Sequence, residues 1–370
     1  MDPLTHLLTG AAMSRSGLNR KTALATLTLV LAAEAPDFDI VAAIPGVLGA
    51  FAHRGITHTF FGVPFMSAAV LGLVYLIHRW QESRRAQAKS RAAAAKANPG
   101  IDDHIPIEVP RQPIRWGLLY FYAVIASLSH ILLDFTNSYG IRPFGPFNWH
   151  WYAWDIVFIF EPMITAPLLL ALIAPWFFGL IGGEVGAKRQ QFPGRSSAIA
   201  ALIFMALVWW VRDYNHRKAV TLLQAEVYSG KEPKRVMAGP YALNPFKWLG
   251  VVETSNFFEN MNVDTPKGEV DPEHRAVVRY KPEETKFSLA AKKSPIGRVY
   301  LDWARYPYTE VELVDEKEGG GAFVHLRDLR FAYHDSSSKL LSVTVEVDRN
   351  AHVVGWKMGD REEKCKKDCE

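Results

Sequence analysis

His130 and Asp134 stand four residues apart in Ser129-His130-Ile131-Leu132-Leu133-Asp134, at the end of a run from Trp116 to Leu133 that carries no charged residue. On a helix, positions i and i+4 share a face. An imidazole and a carboxylate on one face of an oily helix are costly unless they bind something. Three further groups offer the same residue types: His6 near the chain start, Asp37 and Asp39 in Pro36-Asp37-Phe38-Asp39, and His53 and His58 in His53-Arg54-Gly55-Ile56-Thr57-His58. Imidazole with carboxylate suits zinc, with manganese and iron as alternatives. The number of carboxylates allows a second metal, and two metals can clamp the attacking and leaving oxygens of a displacement. In such a site Asp37 or Asp155 would accept a proton from water. Arg54 would either grip an anionic oxygen or pair with one of the carboxylates. Each group has a plainer reading: His6 as a helix-cap or surface histidine, Asp37 and Asp39 as turn and cap carboxylates.

The elements that must position these groups are apolar. Thr59 to His78 (20 residues), Trp116 to Leu133 (18), Pro162 to Gly183 (22) and Ser196 to Val211 (16) contain no Asp, Glu, Lys or Arg and read as four membrane-spanning helices. Pro162, Pro167 and Pro175 predict kinks in the third. Thr22 to Ala33 and Ile40 to Ala52 are too short to span and read as half-helices meeting at the acidic turn.

Residues 1–211 hold 16 Lys+Arg against 12 Asp+Glu, and residues 212–370 hold 26 of each, so the net charge of +4 comes from the apolar part. That balance gives the folded soluble part no basic face for nucleic acid. Eight Lys/Arg fall within residues 79–115, which places that segment in the cytoplasm. Counting spans outward then puts Asp37, Asp39, His53, His58, Asp134 and Asp155 on the opposite side, together with everything after Val211. Residues 212–370 read as β-rich, with strands over Ala276–Tyr280, Phe323–Leu326, Leu341–Val347 and Val353–Trp356 and a hairpin turn at Asp348–His352. The expected architecture is an α-helical polytopic membrane domain (1–211) followed by a β-rich soluble domain (212–370). The chain start shows no secretory signal pattern. Cys365 and Cys369 form a lone C-x-x-x-C in a charged tail, which specifies nothing.

The motifs Met1-Asp2-Pro3-Leu4-Thr5-His6, Pro36-Asp37-Phe38-Asp39, His53-Arg54-Gly55-Ile56-Thr57-His58 and His130-Ile131-Leu132-Leu133-Asp134, in this order, resemble the YdjM-like family of predicted inner-membrane metal-dependent hydrolases. The resemblance continues through Asn137-Ser138-Tyr139-Gly140, Pro143-Phe144 and Trp154-Asp155-Ile156-Val157-Phe158-Ile159, and covers about residues 1–180. Leu301-Asp302-Trp303-Ala304-Arg305-Tyr306-Pro307 and Leu326-Arg327-Asp328-Leu329-Arg330-Phe331 resemble the extracytoplasmic part of long members. The resemblance implies His6, Asp39, His58, His130 and Asp134 as metal ligands, with Asp37 and His53 as ligands or as residues behind them. Glu161 departs from the pattern, standing where an aspartate is expected. A distant similarity of the family to zinc-dependent phospholipase C implies phosphoester hydrolysis. The expectation is therefore a bacterial inner-membrane hydrolase with a divalent metal at the outer membrane–water boundary, acting on a phospholipid or lipid-linked substrate. A non-enzymatic membrane protein with a structural or regulatory metal and a partner-binding soluble domain is the alternative. A transporter would build its path from half-helices, but no internal repeat supports one.

Overall fold

The computed structural model describes residues 1–41, 54–96, 112–184, 194–315, 320–333, 341–359 and 361–364. His53, Cys365, Cys369 and most of the expected half-helix Ile40–Ala52 lie outside the described residues.

The chain begins with α1 (Pro3–Arg15) and α2 (Ala25–Glu34), followed by a 3-10 turn over Ala35–Val41. Asp2 caps α1 by accepting from Thr5 N, and Pro3 opens the first turn, where its missing N–H costs nothing. Gly10 lets α1 and α2 meet closely, since a Cβ there would fall 2.7 Å from the Leu29 carbonyl oxygen. Four long helices follow: α3 (Gly62–Lys96), α4 (Trp116–Phe135), α5 (Pro162–Glu184) and α6 (Arg195–Ala225). Gly62–Arg91, Trp116–Phe135 and Arg195–Ala225 are long and apolar enough to cross a membrane, and Pro162–Pro175 is a shorter apolar helix. The third expected span, Pro162 to Gly183, is thus helical, and its apolar helix Pro162–Pro175 is 14 residues, about 21 Å. That short run still reaches the level where α6 begins, because Gly194 lies against Pro175. Helix α3 runs past the expected end of its span, carrying Arg84, Arg85 and Lys89 on a continuous rod.

Helix α6 continues beyond Val211, and its last turns pack Ala219 and Leu223 against the first of two antiparallel sheets. That sheet contains β1 (Arg235–Pro240), β2 (Lys247–Glu253), β3 (Phe257–Asp264) and β4 (Glu269–Val270) in order, with β5 (Val277–Tyr280) also pairing β3. Its other face meets Tyr306 and Leu329. The second sheet runs β10-β9-β8-β7-β6, from β6 (Pro307–Leu313), β7 (Ala322–Asp328), β8 (Val343–Val347), β9 (Val353–Met358) and β10 (Arg361–Lys364). Helices α7 (Lys286–Lys293) and α8 (Pro295–Trp303) cover it around Ala291, Ile296, Tyr300 and Trp303. The four strands read from the sequence are present, and the Asp348–His352 turn joins β8 to β9. An α-helical membrane part followed by a β-rich soluble part is the architecture.

A buried pair links the two. Arg212 of α6 and Glu161 at the start of α5 lie 2.5 Å apart, both side chains fully buried. Arg212 also donates to the Tyr241 carbonyl, and Glu161 accepts from Leu243 N. Glu161 is therefore the seat of the loop between β1 and β2, a role its longer side chain can reach.

Candidate metal centre

Asp37, His58, His130 and Asp134 each offer a ligand atom, and those atoms lie within 4.8 Å of one another. Three segments distant in the chain supply them. His130 and Asp134 come from the last turns of α4, as their spacing requires. Asp37 comes from the turn after α2, and His58 from the 3-10 turn Ile56–His58.

Both imidazoles are held by their Nδ1 atoms. His130 Nδ1 is 2.7 Å from the carbonyl oxygen of Ala33. A carbonyl only accepts, so Nδ1 carries the proton, and the bond satisfies one of the open carbonyls at the end of α2. His58 Nδ1 faces Asp39 Oδ2 at 3.3 Å and Thr57 Oγ1 at 3.0 Å. Thr57 Oγ1 itself donates to Asp39 at 2.7 Å, so His58 Nδ1 is again the donor. The two Nε2 atoms then face each other at 3.1 Å. Around them stand Asp37 Oδ1, 3.1 Å from His58 and 3.4 Å from His130, and Asp134 Oδ2, 3.5 Å from His58 and 3.7 Å from His130. Neutral imidazoles in this tautomer point lone pairs at one another and at two carboxylates. That convergence of acceptors in a buried place needs positive charge between them. Two further observations fit a cation: Asp134 Oδ2 and both ring nitrogens of His6 are buried without a hydrogen bond. The donor set, two imidazoles and two carboxylates, suits a divalent metal such as zinc.

The remaining expected residues fall around this core. His6 stacks on His130 with ring centroids 3.7 Å apart, its Nε2 3.4 Å from Asp134 Oδ1. Asp39 lies on the outer side of His58, bonded to Thr57 and to Arg54 N, the arrangement in which a carboxylate orients a ligating imidazole. Arg54 pairs with Asp134 Oδ1 at 3.0 Å and donates to the Gly140 carbonyl at 2.7 Å, so the ion-pair alternative is the one its geometry adopts. The α-amino group of Met1 also touches Asp134. Asp155 stands apart from the cluster, in a 2.6 Å ion pair with Arg305. Arg54 and Asp155 both hold left-handed backbone, φ 64° and 60°, a conformation that non-glycine residues keep only when their surroundings enforce it.

Sequence reasoning passed over Glu34, the last residue of α2. It is half-buried with Oε2 unbonded, and burial, helped by the charge of Asp37, pushes its carboxyl up to about 7. Its signal was a lone acid closing an apolar run three residues before Asp37.

Spanning helices carrying a buried imidazole–carboxylate cluster at one end make this a membrane protein able to bind a metal. Residues 1–219 match the family described as YdjM inner membrane protein, and the chain belongs to that family. The chain is also similar to a protein named "Uncharacterized protein YfhP" of Bacillus subtilis (strain 168), 26% identical over 188 residues, which are 48% of this chain and 47% of that protein. It thus spans about half the length of the curated relative it matches. No solved structure matches the chain.

Proposed function

We propose that the protein is a membrane-bound, divalent-metal-dependent hydrolase of a phosphoester carried by a lipid or lipid-linked substrate. The observation that carries this reading is the pair of Nε2 atoms 3.1 Å apart, each fixed as an acceptor by its own Nδ1 bond and flanked by two carboxylates. A divalent metal bound there, zinc in the first instance, would supply Lewis acidity, which makes water nucleophilic at neutral pH and draws charge from a phosphoryl oxygen.

The chain's residues divide the remaining work. His58, His130, Asp37 and Asp134 hold the cation, and His6 closes the side nearest Asp134. Asp39 holds His58 in its tautomer. Glu34, with a carboxyl near neutrality, takes up the proton released from water, the task first considered for Asp37 and Asp155. Arg54 fixes Asp134 through Nη2, while its buried Nε makes no bond and remains a donor for an anionic oxygen. Substrate approaches past Asp37, the one member of the four with an exposed edge. Leu4, Phe38 and Ile56 are exposed apolar residues, each within two positions of a cluster residue, and they suit an amphiphile at the bilayer boundary. In this reading the cluster and the β-rich part face outward across the inner membrane, with residues 79–115 in the cytoplasm.

Full burial of the other three ligand side chains favours the second reading, a closed structural metal. The test is purified protein in detergent micelles, stripped and reloaded with zinc, assayed for release of phosphate or phosphoalcohol from mixed phospholipids. Zinc-dependent turnover that is lost in both His130→Ala and Asp134→Ala supports hydrolysis. Tight zinc without turnover on any phosphoester supports the structural role.

A further inference from the structure

The two motifs of the soluble part that the cluster leaves unused, Leu301–Pro307 and Leu326–Phe331, converge on one loop of the membrane part. Three consecutive carbonyls of that loop are gripped by three different side chains. Ser138 O accepts from Arg330 Nη1 at 2.7 Å, Tyr139 O from Trp303 Nε1 at 3.0 Å, and Gly140 O from Arg54 Nη1 at 2.7 Å. The first two donors belong to the β-rich part and the third to the site.

The grip is built on both sides. Arg330 is buried, paired with Asp328 at 2.7 Å, and also bonded to the Trp303 carbonyl. Its guanidinium lies over the Trp303 ring at 4.7 Å. Asp328 accepts from Arg305 N, and Arg305 holds Asp155. On the site side, the Arg54 guanidinium lies over the Tyr139 ring at 4.6 Å and reaches Asp134. Burying charged and polar groups at a domain contact is costly unless every partner is in place, so a network of this kind has one good geometry rather than many.

We infer that Trp303 and Arg330 are positioning residues for the metal centre, acting through the Ser138–Gly140 loop on Arg54 and through Arg54 on Asp134. The inference rests on the reading of the cluster as a metal site. Arg54 occupies Asp134 Oδ1 and leaves Oδ2 toward the two imidazoles. Releasing the loop leaves Arg54 charged, so its repulsion of a cation stays while its orientation of the carboxylate goes. Metal affinity therefore falls. Groups that orient a ligand from behind are worth roughly 10–100-fold in affinity, and one acting at a further remove sits at the low end, about 10-fold.

The test uses full-length protein in detergent and zinc as the probe. Trp303→Phe removes the Nε1 donor and keeps an aromatic ring against Tyr139. It should weaken zinc binding about 10-fold in the native background and add nothing in an Arg54→Met background, because the path is already cut. Equal weakening in both backgrounds, or none in either, overturns the inference. A second measurement needs no variant: coupling between sites is reciprocal, so zinc added to the native protein should slow amide exchange across 137–140 and 326–331. Zinc binding with unchanged exchange there overturns the relay and leaves the metal site standing. A native protein that binds no zinc overturns the metal reading and the relay with it.

Discussion

At the residue scale, the tautomer of His58 is the decisive feature, and a different residue sets it. Asp39 and Thr57 hold Nδ1 as the donor, so Nε2 faces Asp37, His130 and Asp134 as an acceptor. His58→Ala removes a ligand atom and should abolish zinc binding. Asp39→Asn keeps the atom but weakens the group that orients it, and should cost roughly 10–100-fold in zinc affinity. A competitive chelator titration reads both; equal loss in the two variants would make Asp39 a ligand, as the family resemblance implies. Glu34 offers a separate handle. With its carboxyl near 7 it is mostly protonated below neutrality and ionised above, so a rate that needs it as proton acceptor rises through that range. Glu34→Gln should flatten that rise while leaving zinc affinity intact, as measured by the pH profile of phosphoester turnover. His130 and Asp134 were legible from the sequence because one helical turn separates them inside an uncharged run. The placement of Asp37 against both imidazoles and of Asp39 on the outer side of His58 was not, because a turn with carboxylates two residues apart gives no periodicity to say which faces inward.

At the scale of elements, the long helices were legible and their lengths less so. Uncharged runs mark where a helix can tolerate lipid, not where its backbone hydrogen bonds stop, and so Gly62–Lys96 and Arg195–Ala225 outrun the apolar segments that identified them. The strands divide in the same way. Val343–Val347 alternates buried and less buried side chains and could be read directly. Lys247–Glu253 and Phe257–Asp264 were missed because their sheet is covered on both faces, by Ala219 and Leu223 on one side and Tyr306 and Leu329 on the other, so they show no alternation. The helices also carry the orientation. Arg15, Arg20, Arg115 and Arg195 gather at the end of the bundle remote from the β-rich part, as Arg195 bonding to Ser16 and Arg115 to Thr22 illustrate. Basic residues at one end predict a cytoplasmic face there. Reporter fusions at Lys96 and Gly319 should fall in opposite compartments, with Lys96 cytoplasmic; signals from the same compartment would overturn the topology and with it the sidedness proposed for the site.

At the scale of the whole molecule, the cluster draws its atoms from segments around positions 37, 58 and 130, and bringing them together is part of folding. A cation that binds only the assembled state stabilises it by mass action, by about 2.7 kcal/mol at a hundredfold excess over the dissociation constant. Thermal unfolding in detergent should therefore move to higher temperature with the logarithm of zinc concentration in the native protein. Removing the metal with a chelator should return it, and His130→Ala should show no shift at any concentration. A zinc-independent transition in the native protein would mean that the cluster is held together by protons and ion pairs alone.

Trp303 and Arg330 have a consequence in time as well as in space. A ribosome makes every helix of the membrane part before it reaches either residue. When α6 emerges, the residues of the cluster have already been made, but the donors for Ser138 and Tyr139 have not. The proposed relay would therefore make arrival of the soluble part the step that tightens the site, so that a half-made chain would carry a slack centre and a finished one an ordered centre. Under the proposed hydrolase reading, biosynthetic order becomes a safeguard, keeping reactive chemistry from preceding the fold that confines it.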